Sequence, residues 1–295
     1  MLPGTLTSVD EHYRAMQAVQ AGAMLSMRRL WKSVDPDSIA ASWAANSLMA
    51  VTVFTGFQRQ AAERGSGYIG EALAEQGIDV DPVGDVNPEA FVGWASDGRP
   101  LSGLLFSPAA TAMKRIREGF APADALRSAQ HALDTIVRTQ IADTGRGAAS
   151  VGVTARQRVG YVRMLNPPSC VLCIQQAGRY FRYNAGFARH PSCDCVHVPT
   201  TQAQSSDLTT DPHAYFGSLD QAQQNQLLGV RDARAVRDGA DFNQVVNARR
   251  GATGFGTTTS GASRTGVRLM PDTIYRLAST REEAVSLLRR HGYIV

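Results

Sequence analysis

The sequence predicts a mainly α protein with a small α+β module in its second half, and three observations carry that expectation. Apolar residues recur at helical spacing over most of the first 150 positions. One short run, Val159 to Leu165, places Val, Tyr, Val and Leu around a single Arg and reads as a strand. All four cysteines then fall within the 26 residues from Cys170 to Cys195. With 295 residues, 43% hydrophobic and 19% charged, the chain can bury a sizeable core, which excludes disorder throughout. Its net charge of +4 leans mildly towards polyanions. Only Lys32 and Lys114 are lysines, so the basic charge is nearly all arginine, a bias that a GC-rich genome explains as readily as selection for bidentate anion contacts. Met1 to Thr5 lack the basic start and apolar run of a secretory signal, so synthesis in the cytoplasm, with reduced thiols, is the expectation.

Each element has its own signal. Ser8-Val9-Asp10-Glu11 has the form of a capping box, with Ser8 as N-cap. Tyr13, Met16, Val19, Ala23, Met27 and Leu30 continue the helix until Asp35-Pro36-Asp37 breaks it. Ser38 to Gln58 carries no charge over 21 residues, about the length of a membrane span. Ser38, Ser42 and Asn46 lay a polar stripe along it, so a core helix closing a helical hairpin is expected and no membrane association. After Gly65-Ser66-Gly67 the chain turns acidic, with seven carboxylates and no base between residues 68 and 98, as in solvated loops. Ser107-Pro108 offers an N-cap with proline at the first helical position, and a second start near Pro122 leads into Leu126, Ala129, Leu133, Ile136, Val137 and Ile141. Asn166-Pro167-Pro168 forces a turn after the strand. Beyond Thr200, helices are expected around Leu219 to Asp238 and Ser279 to His291, separated by a flexible Gly/Thr/Ser-rich stretch, residues 251–266. The divisions that result are a helical N-terminal domain, 1–155, a Cys/His module, 156–202, and a helical, partly flexible C-terminal region, 203–295.

The most informative feature is Cys170-Val171-Leu172-Cys173 followed by His190-Pro191-Ser192-Cys193-Asp194-Cys195-Val196-His197. A C-x2-C turn presents two thiolates to one tetrahedral Zn2+, and a second pair about twenty residues on closes the shell, stabilising a module with little core of its own. The second half is H-x2-C-x-C, so the fourth ligand is either His190 or the second cysteine of that pair. Disulfides, free buried thiols and a redox C-x2-C compete with zinc. A reducing compartment weighs against disulfides, and the β-α-β setting of a redox motif is not evident. Four protein ligands leave no place for water, which makes the metal structural. Between residues 145 and 200 seven arginines face one acid. Arg163, Arg179, Arg182 and Arg189 are therefore candidates for contacts with an anion or an acidic partner, with packing against the chain's own acidic segment as the plainer alternative.

From Arg138-Thr139-Gln140 through the cysteine cluster to the Gln-rich helix, the sequence resembles the MuF-like minor head proteins of tailed bacteriophages. The resemblance lies in Val162-Arg163-Met164-Leu165, in Cys170 to Cys173, in Gly178-Arg179-Tyr180-Phe181, in His190 to Pro199, and in Tyr215-Phe216 with Gln224, Gln226 and Gly229. Actinobacteriophage members look closer still over Val236 to Asp241 and Val245 to Gly251. Many members carry Cys-Arg-Cys where this chain has Cys193-Asp194-Cys195. The resemblance implies a multi-segment phage head protein, made in the host cytoplasm and residing in the virion at or near the portal vertex. Its implied partners are the portal protein, the major capsid protein and phage DNA, and its implied roles are head assembly, DNA packaging or DNA delivery. Cys170, Cys173, Cys193 and Cys195, with His190 as substitute, are the implied metal ligands.

Relatives of this kind are often described as capsid maturation proteases, so a protease or its activator is an alternative reading. The residues give it little. There is no G-x-S-x-G elbow, Ser150 lies on no recognisable strand-to-helix turn, and no H-E-x-x-H is present. His131 is a lone helical histidine, and the cysteines are already wanted by the metal. A DNA-binding head component is the third reading, in which the arginines meet phosphates and Tyr161, Tyr180, Phe181 and Tyr183 stack on bases or fill the module's core.

Overall fold

The computed structural model describes residues 6–185, 190, 191, 193, 195–253 and 269–295. These form a mostly helical protein with one two-stranded sheet. The helical body comprises α1 (Thr7–Trp31), α2 (Ile39–Ala45), α3 (Ser47–Glu75), α4 (Leu101–Arg117) and α5 (Pro122–Thr154). Met27, Trp43, Phe54, Leu105, Leu133 and Ile141 meet in its core. Trp31 and Trp43 pack edge to face at 5.0 Å, and the Trp43 indole N–H donates to the Leu105 carbonyl at 2.9 Å, so the largest buried ring also satisfies its polar edge.

Several local expectations are corrected by tertiary partners. Ser8 is not the N-cap of α1. The helix begins at Thr7, and the Glu75 carboxylate, arriving from the end of α3, accepts from the Thr7 amide at 2.7 Å, the Ser8 amide at 3.0 Å and the Ser8 hydroxyl at 2.6 Å. An anion at a helix N-terminus is favourable whichever segment supplies it. The uncharged stretch is not one buried helix: it breaks at Asn46 into α2 and α3, 54° apart. The Asn46 amide donates to the Ser33 hydroxyl (3.1 Å) and the Ser42 carbonyl (3.0 Å), which ties the polar stripe to the preceding turn. Trp43, Ala50 and Phe54 are buried, whereas Leu48 and Met49 are exposed. No single helix among the described residues is long and apolar enough to cross a membrane, although α2 and α3 together meet that length and composition.

The acidic stretch that follows Gly65-Ser66-Gly67 is not all solvated loop, because α3 runs on through Glu71 to Glu75. A Cβ at Gly65 would overlap the Gly145 carbonyl, so the glycine marks a close helix crossing and not a boundary. Nor does α4 start at Ser107-Pro108. It starts at Leu101, with Pro108 inside it. Proline lacks the N–H that the Leu104 carbonyl would accept, and the Ser107 hydroxyl donates to that carbonyl instead, at 2.7 Å.

After α5 come β1 (Val159–Met164), α6 (Val171–Ala177) and β2 (Val196–Thr201). The strands pair antiparallel, with Val162 opposite Val198 and Arg163 opposite His197. Val162, Val196 and Val198 cover Ile69 of α3 and Val153 of α5, and the Tyr68 hydroxyl donates to the His197 carbonyl. A further core joins the module to α7 (Pro212–Ser218), α8 (Gln221–Leu228), α9 (Val230–Arg237) and α10 (Phe242–Thr253) through Ile174, Phe216, Leu228 and Phe242. Finally α11 (Pro271–Leu277) and α12 (Arg281–Arg290) return to α5, and Tyr293 packs on Phe91 at 5.1 Å. The expected flexible linker lies, from residue 254 on, outside the described residues.

Candidate metal centre

Cys170 caps the N-terminus of α6, and the Cys173 amide points at its Sγ from 3.4 Å. Asn166-Pro167-Pro168 directs the chain from β1 into this turn, and the Ser169 hydroxyl bonds back to the Asn166 carbonyl at 2.9 Å. His190 and Cys193 form a second turn, closed by the Cys193 amide on the His190 carbonyl at 3.1 Å. Cys195 leads into β2. All five sequence-predicted donors are therefore brought together. Cys170, Cys173 and His190 form one triad with ligand atoms within 4.8 Å of one another, and Cys173, Cys193 and Cys195 form a second. Cys173 belongs to both.

The donor chemistry fits a soft or borderline metal ion. Cys173 and Cys193 Sγ lie 3.5 Å apart, close to the edge of about 3.8 Å expected for two thiolates on a tetrahedral ion at zinc–sulfur distances. Thiolate and imidazole donors together suit Zn2+ and exclude the all-oxygen preferences of Ca2+ and Mg2+. The four cysteines are free thiols. A cavity of about 740 Å3, walled largely by Pro167, Pro168, Leu172, Tyr215 and Leu219, reaches Cys170 and His190 and gives an ion a way in.

The cluster distributes charge unevenly. Contact with Cys170 pushes the Cys173 thiol up, but hydrogen bonds from Cys193, Cys195 and His190 outweigh it and bring it down to about 5. Cys170 is lowered chiefly by its contact with Cys173, and Cys195 is pushed well up by Cys173, Cys193 and burial. His190 is raised to about 9, above all by hydrogen bonding to Cys173. Thiolate and imidazolium thus stabilise one another where a divalent ion would sit.

The candidate arginines separate. Arg163 is 1% exposed, so it is not a surface residue for an outside anion; its guanidinium donates to Cys173 Sγ at 3.4 Å. Arg179 and Arg182 are exposed, with Arg179 stacked over Phe181 at 4.7 Å. Arg189 and Asp194 lie outside the described residues. Of the aromatics, Tyr161 and Phe181 are buried and stacked at 5.2 Å in the module's core.

Sequence reasoning missed Arg146. From α5, its side chain donates to the Cys195 carbonyl at 2.9 Å and to the Cys193 carbonyl, and it pairs with Asp143 at 2.8 Å, all buried. An Asp-x2-Arg pair on one helix face was the available signal. Ser150 is buried near the C-terminal end of α5 and shares with His197 a crevice of about 30 Å3, room for a water molecule and not for a peptide. His131 is exposed on α5.

Compared with known families, residues 5–222 match the model described as VG15 protein, a bacteriophage-associated family. No curated protein and no solved structure matches.

Proposed function

The chain belongs to the VG15 protein family of bacteriophages, and from that premise we propose that it is a minor head protein of a tailed phage, of the MuF-like type, bound at or near the portal vertex. Family membership suggests a virion-associated protein, and the match carries this reading because it spans both the helical body and the Cys/His module. In this reading the body docks on the portal or major capsid protein, and the chain acts in head assembly, DNA packaging or DNA delivery. A structural Zn2+ on the Cys170, Cys173, Cys193, Cys195 and His190 cluster stiffens the module. The fit of the donors supports it: two triads that share Cys173 bring four thiols and one imidazole close together, a donor set of the kind zinc takes. Among the described candidates, Arg179 and Arg182 are exposed and free to face an acidic partner or phage DNA.

The intact mass of the major capsid protein in heads assembled with and without this chain tests the reading. An unchanged mass, with the chain retained in the head and cross-linked to portal or coat protein, is expected. A capsid protein shortened only when the chain is present would assign it to capsid maturation instead.

A further inference from the structure

The four thiols of the cluster differ in what can reach them. Cys173, Cys193 and Cys195 are 2%, 4% and 2% exposed, whereas Cys170 is half-buried. Cys170 is also the one cysteine among the walls of the cavity of about 740 Å3. A thiol buried away from solvent is inert to a dissolved reagent, and an accessible one is not. Access alone therefore singles out Cys170.

The cavity also selects by charge. Its walls include Pro167, Pro168, Leu172, Tyr215, Leu219 and Leu227, and none of its lining residues is Asp, Glu, Lys or Arg. A charged reagent gives up hydration there without gaining an opposite charge, while an uncharged, apolar one buries surface. The volume lies within the range that small-molecule pockets occupy.

Cys170 has a second thiol within reach. Cys173 lies three residues on, in the first turn of α6, with its amide 3.4 Å from Cys170 Sγ and the two Sγ atoms within 4.8 Å of one another. A C-x2-C pair is the spacing of dithiols that cycle to a disulfide. The Cys173 and Cys193 sulfurs are also close, at 3.5 Å, but both are buried, so a reagent entering by the cavity meets neither first.

We propose that Cys170 is a modification site for uncharged, apolar hydroperoxides and that Cys173 then closes a disulfide on it. In the first step a Cys170 S–O bond forms as the peroxide O–O bond breaks. The sulfur loses two electrons to the peroxide, and the thiol proton leaves with the alkoxide as an alcohol. In the second, Cys173 Sγ attacks the sulfenic sulfur, an S–S bond replaces S–O, and the hydroxide leaves with the Cys173 proton as water. Both thiols are also candidate metal donors, so the bond withdraws two of the five, but the chemistry itself needs no ion.

The test treats the full chain, as purified, with cumene hydroperoxide and in parallel with the charged glutathione disulfide, alkylates the remaining thiols and maps the peptides. The tryptic peptide 164–179, whose cysteines are Cys170 and Cys173, is expected to become lighter by two hydrogens. Dimedone is expected to trap a sulfenic acid at Cys170 in the Cys173→Ser variant, and Cys170→Ser to oxidise at least about 10-fold more slowly than wild type. With each rate divided by that of the urea-unfolded chain, the hydroperoxide is expected to exceed glutathione disulfide by at least about 10-fold. First modification at Cys193 or Cys195, a bond between Cys173 and Cys193, or a Cys170→Ser variant that oxidises as fast as wild type overturns the site. Equal normalised rates for the two reagents overturn the apolar class. Should Cys170→Ser fail to fold, the wild-type peptide map still decides.

Discussion

Arg146, in the C-terminal third of α5, reaches across to the backbone carbonyl of Cys195 at 2.9 Å and holds the cysteine turn against the helical body. The same guanidinium donates to the Cys193 carbonyl and pairs with Asp143, whose side chain is 2% exposed. The turn is thus positioned from outside the Cys/His module.

Removing one member of this group breaks a buried ion pair. Arg146→Met is expected to lower stability by about 3–5 kcal/mol, because that pair is lost and the Cys193 and Cys195 carbonyls lose a donor. Adding Asp143→Asn should recover part of that loss. Urea unfolding of the two single variants and the double variant reads the coupling directly. Strictly additive losses would show that the ion pair is not what holds the turn.

How much of this was legible in the sequence depends on whether the partner was local. The helical class, the β1 strand, the donor set and the start of α5 at Pro122 all rest on spacing within one segment, and the structure places them where spacing put them. Most of the misread features have a partner that lies outside their own segment. Ser8 and Glu11 have the right spacing for a cap, yet the cap comes from Glu75, sixty-seven residues away from Ser8. Ser107-Pro108 reads as a helix start, but α4 begins at Leu101 and the Ser107 hydroxyl satisfies the carbonyl that Pro108 leaves without an N–H. Arg163 counted as a surface charge until its thiolate neighbour, ten residues on, was in place. At Ser8 and Arg163 a tertiary contact overrode the local preference, whereas at Pro108 the compensation comes from within the same helix.

The crossing of α3 and α5 at Gly65 and Gly145 makes an asymmetric prediction. A Cβ at Gly65 meets the Gly145 backbone carbonyl, which cannot move without shifting α5. A Cβ at Gly145 meets first the Met16 Cε methyl at 2.6 Å, the far end of a flexible side chain. Gly65→Ala should therefore cost about 3 kcal/mol, and Gly145→Ala about 1 kcal/mol, even though both raise helix propensity. Thermal unfolding of the two variants checks the order, and equal losses would remove the steric explanation.

His12 predicts how the body responds to acid. Its ring stacks on Tyr68 at 3.8 Å, is 7% exposed, and leaves Nδ1 buried without a partner. Burial lowers its pKa from 6.5 to about 4, and the Arg64 charge adds to that, although a hydrogen bond to the Arg64 backbone opposes it. The folded state therefore binds this proton less readily than the unfolded chain. Its contribution is fully present above pH 6.5 and is lost as the pH falls towards 4, amounting to about 3 kcal/mol at the acid end. Glu75 and Glu89, whose pKa values hydrogen bonds from Ser8 and Arg59 hold low, add losses of the same sign only below the ordinary carboxylate range. His12→Phe keeps a ring on Tyr68 but cannot take up the proton. The difference in unfolding free energy between wild type and His12→Phe should therefore change steadily from pH 6.5 to 4 and level off outside that window. A difference independent of pH would mean that His12 is not the group being titrated, and the acid response of the helical body would have to come from its carboxylates alone.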